Sequence, residues 1–287
     1  MSGKGIFEGR TLVLATMHGK ENVIRDLLEK HLGVRVIVPQ GFNTDKFGSF
    51  SGEKERPGNQ LETARLKAEA AMLLTGADLA LASEGAFHAH HAYYFAMADY
   101  ELVLLKDKKN NSEWQGWHIS LDVQASTGVF KSVEEAQSLS RKFNFPSHAL
   151  IIKVPEKNGF KYLRKGIRND NDLRTFSEEA LKMVKSGEVA IIENDLRANQ
   201  NPTRMNAIEE ATKVLIGILS VDCPSCNFPG FKREDSIPGL PCSNCGAPTA
   251  LTMVDIYRCP SCNFELEEER KDGNQFAEPQ YCMNCNP

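Results

Sequence analysis

The sequence predicts an α/β domain with a mixed sheet, followed by a small metal-bound β module. Three observations carry this expectation. Apolar strand-like runs alternate with amphipathic helical segments up to about residue 220, the pattern of an α/β layer fold. Two of the runs sit on either side of "KKNN" within "YELVLLKDKKNNSEWQGWHISL", a hairpin that makes the sheet mixed. All eight cysteines lie at Cys223 or beyond, as four C-x2-C pairs. A boundary near residue 220 therefore divides the chain into residues 1–220 and 221–287.

The elements follow in order. Residues 11–16 read as a strand and about 19–31 as an amphipathic helix. Val23, Ile24, Leu27, Leu28 and Leu32 recur at helical spacing, and Gly33 stops the helix. "VRVIVPQ" is a second strand and "GFNTDKFGSFSGEKERPGN" a polar, glycine-rich loop. "QLETARLKAEAAMLLTG" is a helix ending at Gly76. "ADLALAS" is a third strand that stops at Glu84-Gly85. After the hairpin, "SVEEAQSLSRKF" is a helix with Ser132 as its N-cap. "SHALIIKVP" and "FKYLRKG" make a strand pair, "DLRTFSEEALKMVKSG" a helix, "EVAIIEND" a strand and "NPTRMNAIEEATKVLIGIL" a closing helix.

The composition, 41% hydrophobic and 25% charged, is that of a soluble globular chain. No apolar run reaches the roughly 18 residues of a membrane span, so no membrane association is expected. The opening "MSGKGIFEGR" lacks the apolar stretch of a secretory signal, which makes the cytoplasm the expected location. Charge divides unevenly at the boundary. Residues 1–220 carry 29 Lys and Arg against 28 Asp and Glu, whereas residues 221–287 carry 5 against 10.

The cysteine pairs are Cys223/Cys226, Cys242/Cys245, Cys259/Cys262 and Cys282/Cys285, separated by 15, 13 and 19 residues. Two C-x2-C units so spaced suit a tetrathiolate zinc site, because each turn aims two thiolates at one ion. Two structural Zn2+ are expected, with no open coordination position. Pairing neighbours, 223/226 with 242/245 and 259/262 with 282/285, gives two tandem zinc ribbons. Interleaved pairing, 223/226 with 259/262, is the alternative. Strict C-x2-C spacing without a secretory signal argues against a disulfide scaffold. A segment this short and this poor in apolar residues needs its metals to fold. Its acidity, with "FELEEER" and the added charge of the thiolates, argues against nucleic acid, which requires a basic face. Protein contacts or homodimer assembly are expected of the module instead.

In the large domain, polar groups gather where predicted strands end. Thr16-Met-His18-Gly-Lys20 opens a helix, where free N–H groups and the helix dipole favour an anion. Glu84 follows the third strand. Glu193, Asp195 and Arg197 follow the late strand, and Arg204 opens the last helix behind Pro202. Ligands of open α/β sheets bind beyond the carboxyl ends of strands. Cations suited to phosphate beside carboxylates suited to a metal suggest a Mg2+–phosphate site. Among His88, His90 and His91, which follow Glu84, His90 is taken as an added ligand.

This layout resembles the inosine-triphosphatase-like fold of the Ham/Maf-type nucleotide pyrophosphatases and a related inosine/xanthosine triphosphatase family. The resemblance covers about residues 10–87 and the final helix near Arg204. "LVLATMHGKENVI" is similar to those families' first strand and A-T/S-x-N-x-x-K-x-x-E turn, with His18 where the turn has Asn. "ETARLKAEAA" is similar to their E-N-A-x-x-K-A helix, with Thr63 for its Asn. "LASEGAF" stands at their acid–glycine pair, and "NPTRMNAI" at their S-H-R turn, without its His. The resemblance implies that Lys20 and Lys67 contact phosphate and that Glu62 and Glu84 hold Mg2+. It also implies that Glu84 activates water and that Arg204 contacts a base or phosphate. The whole chain more closely resembles a bacterial family of unassigned activity with this N-terminal domain and a paired C-x2-C tail. The expected function is that of a metal-dependent phosphohydrolase or pyrophosphatase acting on a small, nucleotide-like phosphate compound. The different reading is a non-catalytic nucleotide- or protein-binding protein that uses its ribbons for assembly. Convergence of Glu62 and Glu84 on one ion separates the two.

Overall fold

The computed structural model describes residues 3–48 and 57–287. Residues 49–56 of the predicted polar loop lie outside the described residues. The chain forms two compact units, Gly9–Leu215 and a second that groups Ile216–Pro287 with the residues up to Glu8. Among the described residues, no helix is long and apolar enough to cross a membrane.

The first unit holds two sheets. In one, β1 (Thr11–Ala15) lies parallel to β2 (Arg35–Ile37) and to β3 (Leu79–Ala89). β4 (Met97–Asp107) and β5 (Ser112–Ser120) continue it antiparallel, in the order β2-β1-β3-β4-β5. The mixed sheet expected from the hairpin is therefore present. Its connections are α1 (Glu21–Leu32) and α2 (Gln60–Thr75). Ile24, Leu28 and Leu32 form the buried stripe of α1, one turn apart, and Gly33 closes the helix with φ 67°. Ala64, Ala68, Ala71 and Met72 of α2 pack on Val13, Ala80, Ala82, Leu102 and Leu104. Small side chains on both surfaces let the helix lie close to the sheet.

β3 does not stop at Ser83, as the sequence suggested. The run of Ser83, Glu84 and Gly85 looks like a break, yet β4 pairs with it as far as Ala89. The strand that stops is its neighbour. Ala15, the last residue of β1, lies opposite Ala82. Ser83 and Glu84 reach the rim of the sheet because β1 ends beside them. Since side chains alternate, Glu84 shares the α2 face with Ala82, and Ser83 and Gly85 point to the other.

That other face carries α5 (Pro202–Leu219). The helix approaches β5 so closely that a Cβ at Gly116 would overlap the Ala211 carbonyl and stand 2.7 Å from Leu215 N. The Asn201 side chain accepts the Arg204 N–H at 3.2 Å and caps the helix start.

The second sheet has the order β6-β9-β7-β8 and is antiparallel throughout. Its strands are β6 (Thr127–Phe130), β7 (Leu150–Glu156), β8 (Gly159–Ile167) and β9 (Ala190–Asn194). α3 (Val133–Lys142) and α4 (Asp170–Met183) pack with it around Phe130, Leu150, Ile152, Leu173 and Ile192. Ser132 is the N-cap of α3, as expected. β6 was not read from the sequence, because four residues containing Gly128 give too short a pattern.

In the second unit, β10 (Lys232–Pro238), β11 (Thr252–Arg258) and β12 (Glu265–Glu269) form a three-stranded antiparallel sheet. Each C-x2-C pair is a tight knuckle, with a backbone N–H returning to the first cysteine's carbonyl. Asn227 N donates to Cys223 O at 2.8 Å, Gly246 N to Cys242 O at 2.9 Å, and Asn286 N to Cys282 O at 2.8 Å. Asn227 and Asn263 take φ of 59° and 58° just after their pairs, where Asn tolerates the left-handed region.

Candidate functional site

The knuckles assemble into two groups, Cys223/Cys226/Cys259/Cys262 and Cys242/Cys245/Cys282/Cys285. Each group could hold one metal ion. The tandem pairing is thus corrected to the interleaved one. The reason lies in the sheet. Lys232 of β10 pairs with Arg258 of β11, so the knuckles just before β10 and just after β11 meet at one end. β10 and β12 run to the other end, where the remaining two knuckles meet. Sulfurs stand 3.8 Å apart for Cys223/Cys262 and 3.6 Å for Cys226/Cys259. For Cys242/Cys285 and Cys245/Cys282 they are 3.9 and 3.6 Å. Metal–sulfur bonds of about 2.3 Å in a tetrahedron require about 3.8 Å between sulfurs. Backbone N–H groups of Ser225, Asn244 and Ser261 each point at a cysteine sulfur at 3.4 Å, which favours thiolates.

The second site is a pocket at the rim of the first sheet. Thr16, His18, Lys20, Lys67, Glu84, Arg197 and Arg204, all singled out in the sequence, line it together. Its volume is about 30 Å³, far below the several hundred of a whole-ligand cleft. It has room for a group of a few atoms.

Lys20 turns back from the start of α1 and donates from Nζ to Ser83 Oγ at 2.8 Å. Burial pushes this ammonium down to about 7, helped by Arg204 and opposed by Glu101. Lys67, on the α2 face, forms an ion pair with Glu84, and both are buried. Arg204 is 2% exposed. Its Nε donates to Glu101 Oε1 at 2.6 Å and its Nη1 to the Leu196 carbonyl at 2.6 Å. Gly85 lies directly across from Glu101. A Cβ there would stand 2.7 Å from Arg204 Nη2 and from Glu101 Cδ, so only glycine leaves room for the pair.

Asp99 lies two residues before Glu101 on the same face of β4 and is 1% exposed. Burial pushes its carboxyl up to about 8, with Glu101 adding to the rise and Arg204 and Lys20 opposing it. Asp99 Oδ1 and Glu101 Oε2 have no hydrogen-bond partner among the described residues. His18 Nε2 meets Asp45 Oδ1 at 3.1 Å, and burial lowers the ring's affinity for a proton despite that carboxylate. Arg197 is held by Asp195 through Nε at 3.0 Å and Nη2 at 2.5 Å.

Of the residues read from the sequence, Glu62, His90, Glu193 and Asp195 do not line this pocket. Glu62 belongs to the capping box of α2: its carboxylate accepts the Asn59 N–H at 2.9 Å while the Asn59 side chain accepts the Glu62 N–H. His90 lies past the end of β3. Its Nδ1 accepts the N–H groups of Ala92 and Tyr93, and its ring stacks on His91 and Tyr93. Glu193 pairs with Lys153 at 2.6 Å. Among the described residues, the only groups of three or more close metal donors are the two cysteine sets. With Glu62 engaged in a cap and Glu84 in an ion pair, the carboxylates do not form a preassembled Mg2+ site.

Ser83, Asp99 and Glu101 were not picked out from the sequence. A signal was present. Two acids at alternate positions in "ADYELVLL" are buried polar groups inside an apolar strand, and such groups call for a stated partner.

Fold and sites together define a mixed α/β protein with a cation-lined rim pocket and two four-cysteine groups. A family model described as "Domain of unknown function (DUF6671)" matches residues 67–287, and the chain belongs to that family. No curated protein matches it. Among solved structures, it is similar to the crystal structure of protein VC0702 from Vibrio cholerae at 10% identity and a TM-score of 0.31. That match covers 72% of this chain and 93% of that chain.

Proposed function

We propose that the rim pocket binds a phosphoryl group of a small, nucleotide-like compound and hydrolyses it there, in an inosine-triphosphatase-like domain, while two Zn2+ hold the tail together. The observation that carries this reading is the meeting of Lys20, Lys67, Arg197 and Arg204 with Glu84 in one pocket. Charged donors placed in a poorly hydrated site stabilise the charge that builds on phosphoryl oxygens. The pocket's small volume suits the phosphoryl group alone, with the rest of the compound outside.

Lys67 is the counter-ion of Glu84 in the resting chain. Phosphoryl oxygens that draw Lys67 away release the Glu84 carboxylate. The carboxylate then takes a proton from the attacking water as the P–O bond to the leaving group breaks. Arg204, clamped by Glu101, and Lys20 remain beside the oxygens. No step is assigned to Mg2+, because Glu62 and Glu84 are not gathered for it.

The competing reading is binding without turnover. It is favoured by the same ion pair, which leaves Glu84 occupied in the resting chain, and by the cap that engages Glu62, so that the two carboxylates are not gathered on one ion. A panel of nucleoside triphosphates and small phosphate esters, with and without Mg2+ or Mn2+, decides between them. Turnover that falls about 100-fold or more in Glu84→Gln supports hydrolysis. Binding with no phosphate release supports the competing reading, and turnover untouched by Glu84→Gln refutes the site.

A further inference from the structure

Ser83 and Lys20 form a contact that hydrolysis by water alone does not use. Lys20 Nζ stands 2.8 Å from Ser83 Oγ and 3.4 Å from the Ser83 carbonyl. Ser83 is 3% exposed and Lys20 8%, and both line the rim pocket. The serine is placed there by the end of β1, which leaves its side of β3 open to the turn carrying Lys20. A lysine next to a serine in a dry pocket can serve as base to a hydroxyl nucleophile, provided its amine is neutral near pH 7.

Resting on the phosphohydrolase reading, we propose that Ser83 is a nucleophile that carries the phosphoryl group covalently, with Lys20 as its base. The charged surroundings of Lys20 fit this role. Burial and the nearby Arg204 and Lys67 disfavour its ammonium, and Glu101 and Glu84 only partly restore it. Arg204 and Lys67 also stand where a serine attacking phosphorus needs positive charge for the oxygens.

The hydrolysis then runs as two displacements. Ser83 Oγ bonds to phosphorus as the P–O bond to the leaving group breaks. The hydroxyl proton passes to the Lys20 amine and on to the departing oxygen. Water next attacks the phosphoserine and the Oγ–P bond breaks. Glu84 takes the proton from water and returns it to the Ser83 oxygen.

The test uses the full chain and p-nitrophenyl phosphate as the probe. Wild type, Glu84→Gln, Ser83→Ala and Lys20→Arg are acid-quenched and mapped by peptide mass, after cooperative melting confirms that each is folded. Glu84→Gln should accumulate one phosphoryl group on the peptide containing Ser83, since its second displacement is blocked. Ser83→Ala should lose the label. Lys20→Arg should acquire it about 100-fold or more slowly, because a guanidinium keeps the charge and cannot act as base. If wild type releases nitrophenol while Ser83 stays unmodified in both wild type and Glu84→Gln, the covalent role is overturned and direct hydrolysis stands. If neither nitrophenol release nor label occurs, both readings fall.

Discussion

Arg204 donates from Nε to Glu101 Oε1 at 2.6 Å, and the two side chains are 2% and 0% exposed. A buried charge that loses its partner costs about 3–5 kcal/mol, whereas replacing both members by apolar groups is often close to neutral. Arg204→Met should therefore lower the free energy of unfolding in urea by about that amount. The double variant Arg204→Met/Glu101→Leu should recover much of it. Equal stability of the single and double variants would show that the pair is not electrostatically coupled.

Gly85 gives an independent reading of the same relationship. Its backbone is extended, so Ala is conformationally acceptable, but its Cβ would collide with Glu101 and crowd Arg204. Gly85→Ala should destabilise the chain by about 1–3 kcal/mol, the cost of overpacking. It should also reduce phosphate binding, because Arg204 must move. A melting temperature unchanged from wild type would contradict this packing.

Asp99 sets a pH dependence. Its carboxyl is held near 8, against 3.8 for the ordinary group. Between those values the folded chain keeps a proton that the unfolded chain gives up. That contribution is present at low pH and is lost as pH rises through about 8. The stability of wild type relative to Asp99→Asn should fall between pH 4 and pH 8. Lys20 works in the opposite sense, since its folded value near 7 lies below the ordinary 10.5. Its contribution raises stability from pH 7 upward and is removed in Lys20→Met. Denaturant unfolding across this range checks both signs.

The cysteine pairing can be settled by metal content. Wild type should carry about two zinc per chain. Under the interleaved arrangement, Cys223→Ser/Cys259→Ser damages one group and leaves the other intact. That variant should retain about one zinc, measured on folded, gel-filtered protein. A tandem pairing would place one substitution in each group and predicts a loss of both ions.

Much of the rim pocket was legible because its residues flank strand ends, where an α/β fold must bring them together. Lys20, Glu84, Arg197 and Arg204 were found in this way, whereas Lys67, inside the second helix, came from the resemblance of "ETARLKAEAA". Glu62 was read as a ligand, and the structure gives it a cap, because an acid three residues into a helix suits either role. Only Asn59, at the N-cap, marks which role it takes. Ser83 and Glu101 were passed over because they sit inside strands, where side chains were counted as core. Their visibility depends on β1 ending before β3, a tertiary fact. The cysteine pairing was hidden for a similar reason. Four alike knuckles with alike gaps admit both partnerings, and the direction of β11 chooses between them.

The most direct measurement of the central claim is the rise in melting temperature with inorganic pyrophosphate, compared between wild type and Lys67→Ala. A ligand that binds only the folded chain stabilises it by about 2.7 kcal/mol at a free concentration 100 times its Kd. Wild type should show a concentration-dependent rise, and Lys67→Ala should show little or none over the same range. A rise of equal size in both proteins, or none in wild type, would contradict a phosphate seat at the rim of this sheet.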